Sequence, residues 1–193
     1  MDDPWLIAGL GNPGADYAAT RHNAGLMAVE LLRERFGVRL RKVRFLSVMA
    51  ADARHAGVPL VLTGPATFMN LSGPPIASIA KKRGVPVERV VVIHDEIDLP
   101  FGALRIKQGG STAGHHGLDS LVGAFRSPEF FRIRIGVGRP ARRTQNIDHV
   151  LKPFTQSERK ELTVLLEEAA DAALSLVTDG LPVTQARYNR PGA

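Results

Sequence analysis

The chain has no cysteine among its 193 residues, which excludes disulfides, thiolate metal sites and a cysteine nucleophile. Nothing in it signals an oxidising compartment, and a cytosolic protein is the expectation. No apolar run reaches the roughly 18 residues a membrane span needs, and the opening Met-Asp-Asp-Pro-Trp lacks the positive and apolar segments of a secretory leader. Neither secretion nor membrane insertion is expected. Internal repeats, low-complexity tracts and interdomain linkers are missing too. What remains is 44% hydrophobic, enough for one sizeable core, so residues 1–193 are read as one domain.

The charge is one-sided, with a formal net charge of +6. Arg39, Arg41, Lys42 and Arg44 form one basic group, Lys81 to Arg83 a second, and Arg139, Arg142 and Arg143 a third. Such patches can follow a phosphate backbone, although Lys81 to Arg83 also suit the negative end of a helix dipole.

Hydrophobic spacing organises the chain. Trp5 to Ala8 is a short apolar run suited to a buried strand, and Ala24, Met27, Ala28, Leu31, Leu32 and Phe36 recur at helical spacing until Gly37. Val43 to Ala53 and Val58 to Leu62 read as two strands joined around His55-Ala-Gly57, with a break at Gly64-Pro65. Ser72, Pro74 and Pro75 open a helix ending near Gly84, and Val90 to Ile93 is a β-branched run covered on both faces. Ala103 to Lys107 and Phe131 to Val137 supply further strands. Residues 139–149 read as an exposed connection. Ser157 opens a long helix with a stripe of Leu162, Leu165, Leu166, Ala169, Ala173, Leu176 and Val177, stopped by Gly180, and the tail after Pro182 reads as part-ordered, with Arg187 and Arg190 solvated. The expected fold is α/β, a single domain with a twisted, mixed, mostly parallel sheet flanked by helices. In such sheets the crevice lies beyond the carboxyl ends of the strands, so the loops after Ala8 and Ile93 should share it, bringing His22 to Asp95.

Those loops carry the polar chemistry. Gly9-Leu-Gly-Asn-Pro-Gly14 matches the dinucleotide fingerprint letter for letter, but Pro13 fits poorly in its helix start and the next strand comes late in basic surroundings. The same stretch continues with Arg21, a fixed cation, His22, whose ordinary pKa suits a base near neutrality, and Asn23. Asp95 could orient a histidine ring and stabilise its imidazolium, or simply form a turn. His94, Asp95, Glu96, Asp98, His115 and His116 lack the one-face helical spacing of a zinc motif, and adjacent histidines diverge. Gly109-Gly-Ser-Thr-Ala113 narrowly misses the serine-hydrolase elbow, which leaves Ser111 as an alternative nucleophile, and residues 109–117 form a flexible loop suited to a lid. Asn12 and Asn70, beside Tyr17 and Phe68, are turn formers or, together, a site for peptide groups and a stacked base.

Taken together, Gly9-Leu-Gly-Asn-Pro-Gly14, Tyr17, Thr20-Arg-His-Asn-Ala-Gly25, Phe68-Met-Asn-Leu-Ser-Gly73, His94-Asp-Glu-Ile-Asp-Leu-Pro100 and the loop from Gly109 to Leu118 resemble the bacterial-type peptidyl-tRNA hydrolases along nearly the whole chain. The resemblance implies a mixed α/β domain that hydrolyses the ester between a peptide and the terminal ribose of tRNA, with no metal or cofactor implied, and a monomer is the expectation. It implies that His22 is the general base that activates water and that Asp95 keeps its imidazole ready. Asn12 then separates blocked peptidyl esters from free aminoacyl esters. Asn70, with Phe68 and Met69, lines the peptide and acceptor end, with Tyr17 near it, and His115 is a lid residue. An asparagine amide would stabilise the oxyanion, and no covalent intermediate is required. Where the family usually has His-Asn-Gly, this chain reads His115-His116-Gly117. The asparagine's contact to tRNA or water passes to an imidazole, which attracts phosphate below its pKa of about 6.5. Two rivals stand beside this reading: an RNA-binding module that keeps the scaffold without hydrolysis, and a serine esterase using Ser111.

Overall fold

The structure, a computed structural model, describes residues 3–189. Strands β1 (Trp5–Gly9) and β5 (Val90–Glu96) are apolar almost throughout because alternate side chains enter two different cores. Ile7, Val91 and Ile93 join the core under helices α1 (Ala24–Arg35) and α5 (Gln156–Tyr188). Leu6, Ala8, Val90 and Val92 join the one under α2 (Gly73–Lys82) and α3 (His116–Phe125). A strand buried on both faces has no polar alternation to show.

With β2 (Arg41–Lys42), β3 (Val48–His55), β4 (Val58–Pro65), β6 (Leu104–Gln108) and β7 (Phe131–Gly136), these strands form one seven-stranded sheet in the order β2-β3-β4-β1-β5-β7-β6. The central β4, β1, β5 and β7 run parallel, and β3 and β6 run against them at the two sides. The mixed, mostly parallel sheet read from the sequence is thus present. The ends of β1 and β5 lie side by side, Gly9 opposite Ile93, and that juxtaposition makes the crevice.

The structure departs from the sequence reading at several ends. The expected strand from Val43 to Ala53 is split by a turn in which Phe45 takes a φ of 65° and stands 88% exposed, so β3 starts only at Val48. Gly64-Pro65 does not break β4: Gly64 and Pro65 pair with Met49 and Val48, and a proline costs little as the last residue of a strand. Within the expected exposed connection lies a short helix, α4 (Asn146–Val150). The long helix begins one residue before Ser157, capped by Thr155 and Glu158 in a reciprocal box. Gly180, at φ 78°, interrupts it, yet Pro182 fits the turn that follows and helix resumes to Tyr188. Arg187 in that segment pairs with Asp179, while Arg190 lies outside the described residues. Among the described residues no helix is long and apolar enough to cross a membrane.

The glycines of the opening loop serve packing. A Cβ on Gly25 would stand 2.0 Å from the carbonyl oxygen of Ile93, and one on Gly9 would stand 2.2 Å from that of Gly25. Helix α1 therefore starts against bare backbone of both central strands. Gly25→Ala should lower unfolding free energy by at least about 2 kcal/mol, read by urea denaturation, and a loss under about 0.5 kcal/mol would contradict this close approach.

Candidate active site

The loop after β1 is fastened before it offers anything to a ligand. Asn23, buried, accepts the Asn12 backbone N–H at 2.8 Å and returns its amide N–H to the Asn12 carbonyl at 2.9 Å. Arg21 points away from the crevice: it donates to Glu158 at 2.7 Å and to the carbonyls of His149, Lys152 and Pro153, with its guanidinium over the ring of Phe154. Of the three polar neighbours in Arg21-His-Asn23, the outer two are fasteners and His22 alone faces the cleft. Glu158 is held below the usual carboxylate range, since burial, which opposes ionisation, is outweighed by the Thr155 N–H and by Arg21.

His22 and Asp95 do meet. The His22 Nδ1–H lies 2.9 Å from both Asp95 carboxylate oxygens, and the two side chains are 12% and 2% exposed. Asp95 serves a second ring as well, because His115 Nε2 lies 3.0 Å from Asp95 Oδ1. The His115 tautomer follows from its other nitrogen: Nδ1 accepts the N–H groups of Gly117 and Leu118 at 3.2 and 3.3 Å, capping α3, so Nε2 carries the proton. Burial alone would drive the Asp95 carboxyl up; His115 and His22 outweigh it and hold the group far below the ordinary carboxylate range. With Nδ1 committed, His22 is left with Nε2 as its free acceptor.

Across the cleft, Asn12 Oδ1 accepts the Met69 N–H at 2.7 Å, which turns its NH2 group toward the opening. That NH2 has no partner among the described residues. The cleft, about 480 Å³, is lined by Asn12, His22, Phe68, Met69, Asn70, Asp95, His115 and His116, with Ile97, Ile147, Val150 and Leu151 as an apolar wall. Eight of the sequence-predicted residues are therefore together. Tyr17 is behind them, edge-on to Phe68 with ring centres 6.1 Å apart, and does not line the cleft. His115 and His116 diverge as expected, one inward and one exposed at the rim. The buried His94 donates from Nδ1 to the Asp95 carbonyl at 2.7 Å, and burial, followed by His115, pushes its pKa well down and keeps it neutral.

The chemistry of the donors bears on two alternatives. His22, Asp95 and His115 present ligand atoms within 4.8 Å of one another, the spacing of a cation site. A metal on His115 Nε2 would move the ring proton to Nδ1, against the N–H groups of Gly117 and Leu118, so these residues are arranged for hydrogen bonding. Ser111 is exposed, and its Oγ accepts the Ala113 N–H at 3.1 Å; among the described residues no histidine is hydrogen-bonded to it, which the elbow reading requires.

One set of residues escaped the sequence reading. Arg105 lies opposite Arg134, and Lys107 opposite Arg132, across the β6 and β7 pair, so four cations share one face of the sheet beside the 109–117 loop. Arg134 is paired with Glu96 at 3.1 Å, and Lys107 has its pKa lowered, first by burial and then by Arg132 and Arg134. The signal is a period of two in the sequence, Arg-x-Lys and Arg-x-Arg, which puts all four on one face of the two strands.

A histidine with one nitrogen engaged by a buried carboxylate and the other turned to a cleft, at the carboxyl edge of an α/β sheet, marks the protein as an enzyme of the α/β class. Residues 6–193 match the family model described as peptidyl-tRNA hydrolase. A peptidyl-tRNA hydrolase of Frankia casuarinae is 50% identical over 188 residues, covering 97% of this chain and 95% of its own, and one of Nocardia farcinica is 45% identical over 182 residues, covering 94% of each. The crystal structure of peptidyl-tRNA hydrolase from Acinetobacter baumannii superposes with a TM-score of 0.92 at 33% identity, covering 100% of this chain and 97% of that one. The chain belongs to the peptidyl-tRNA hydrolase family.

The Arg21 tether can be tested apart from chemistry. Glu158→Gln leaves a buried cation without its counterion and should cost about 3 kcal/mol near neutral pH. Because the folded-state pKa of Glu158 lies below its unfolded value, this contribution is full above the unfolded pKa and fades as pH falls through the folded one. Urea unfolding of both proteins at several pH values should show the gap closing in acid; a gap independent of pH would contradict the ion pair.

Proposed function

We propose that this protein hydrolyses the ester joining an N-blocked peptide to the 3′-terminal ribose of tRNA, with His22 as general base. The observation that carries the reading is the Nδ1–H of His22 on Asp95 with Nε2 turned to the cleft. In this reading Nε2 takes a proton from water as its oxygen attacks the ester carbonyl, and Asp95 stabilises the imidazolium that forms. The Asn12 NH2 donates to the carbonyl oxygen as it gains charge. When the tetrahedral intermediate collapses, the imidazolium returns its proton to the departing ribose oxygen. No bond forms between enzyme and substrate, and no metal or cofactor takes part.

Substrate choice follows from the walls. A blocked peptide brings amide groups and side chains that match Asn70, Phe68 and the apolar wall of Ile97, Ile147, Val150 and Leu151, whereas a free amino group is a cation, and both carboxylates lining the cleft are already engaged, Asp95 by His22 and His115 and Glu96 by Arg134. The cationic face of Arg105, Lys107 and Arg134 borders the loop at the cleft and suits the phosphates of an acceptor stem. His116 at the rim supplies a ring nitrogen to the acceptor end. The protein works as a monomer in the cytoplasm, where its substrate is found.

Purified protein incubated with N-acetylaminoacyl-tRNA and with unblocked aminoacyl-tRNA should cleave the ester of the first alone, releasing the N-acetylamino acid and free tRNA. His22→Ala should lower kcat by about a hundred- to ten-thousand-fold while tRNA affinity is kept. Wild-type turnover in that variant, or equal cleavage of the two esters, would overturn the reading.

A further inference from the structure

Arg132 is a cation the proposed reaction does not use. It is fully buried on β7, and among the described residues it makes no ion pair with a carboxylate. Its guanidinium instead donates to the carbonyl of Ser111 at 2.7 Å and to that of Gly110 at 2.8 Å, lies over the ring of Phe130, and leaves its Nε without a partner. Desolvating a guanidinium is costly, and an apolar side chain of similar volume would fill such a site at less cost. Two loop carbonyls are what this charge has in exchange.

The loop that Arg132 holds needs holding. Gly109, Gly110, Ala113 and Gly114 all take positive φ, at 65°, 86°, 50° and 79°, and a glycine-rich segment has many competing conformations. From Ser111 the path to His115 is short and stitched: the Ala113 N–H donates to Ser111 Oγ at 3.1 Å and the His115 N–H to the Thr112 carbonyl at 3.0 Å. A shift of residues 110 and 111 therefore reaches His115, which donates to Asp95, which orients His22. The segment expected to be a flexible lid is pinned at its base from inside the sheet.

We propose that Arg132 is a positioning residue: its grip on the Gly110 and Ser111 carbonyls places His115, and so sets how the Asp95 carboxylate is divided between His115 and His22. This rests on the reading of His22 as base. Released from Arg132, the loop withdraws the His115 N–H, and Asp95, with one donor fewer, holds a protonated His22 more firmly. The other charged and titratable groups around the cluster are His94 and Glu96 on β5, Arg134 on β7 and His116 at the rim, and none of them is removed by the change.

The test compares wild type, Arg132→Lys, Arg132→Met and Gly110→Ala, each checked for folding by its melting curve, on N-acetylaminoacyl-tRNA from pH 5 to 9. Lysine keeps the charge but cannot bridge two carbonyls. Gly110→Ala disturbs the loop at an exposed position with positive φ, so it serves should the buried variants fail to fold. The expected result is a fall in kcat of about tenfold or more, KM within about threefold, and an acidic limb of kcat/KM moved about half to one unit upward. Folded variants with wild-type kcat and pH profile would overturn the proposal. His22→Ala in the same assay separates the two failures, since normal turnover there removes the base and leaves Arg132 nothing to position.

Discussion

One carboxylate accepts two imidazole N–H groups, and the site is arranged around that sharing. Asp95 is 2% exposed, so an ionised group there needs donors on every side. It has His22 and His115, each with the other ring nitrogen assigned to a different task. For His115 the far nitrogen caps α3, a backbone duty that cannot be met by the other tautomer. For His22 it is left free. Because the carboxylate accepts from both, the tautomer of each ring is set by the same group, and the proposed base is prepared before any substrate arrives.

Such sharing demands that three distant pieces of chain be held to a fraction of an ångström. The turn just before helix α1 delivers His22, and α1 starts on bare glycine backbone, where Gly9 and Gly25 let it approach β1 and β5. The Arg21 and Glu158 pair ties the same turn to the start of α5, so the long helix fixes the loop that carries His22 as well as filling a core. β5 delivers Asp95 from the middle of the sheet, and the 109–117 loop delivers His115 with its base clamped by Arg132. The amide of Asn12 is set by the Met69 N–H across two further elements.

Much of this was legible in the residues, and the failures have physical causes. Continuous apolar runs at Trp5 to Ala8 and Val90 to Ile93 marked strands buried on both faces, and the crevice rule for parallel sheets then brought His22 to Asp95. Arg21 and Asn23 looked like chemistry because a fastener and a reactive group have the same letters; only their partners, Glu158 and the Asn12 backbone, tell them apart. Nothing in the adjacency of His115 and His116 says that one ring caps a helix and bonds Asp95, since both are tertiary facts. Turn residues misled where a neighbour overrode them, as at Gly64-Pro65, which stays in register with β3, and at Gly180, after which the helix resumes. The cations of β6 and β7 alternate with apolar residues, and only the pairing of the two strands brings Arg105 to Arg134 and Lys107 to Arg132.

The site is defined by which ring nitrogens carry protons, and nitrogen NMR of the imidazoles observes them most directly. Spectra of the 15N-histidine-labelled protein near pH 7.5, assigned with His22→Ala and His115→Ala, should show His22 protonated at Nδ1 with Nε2 bare, and His115 protonated at Nε2 with Nδ1 bare. A His22 ring carrying its proton on Nε2, or both rings exchanging freely between tautomers, would contradict the account.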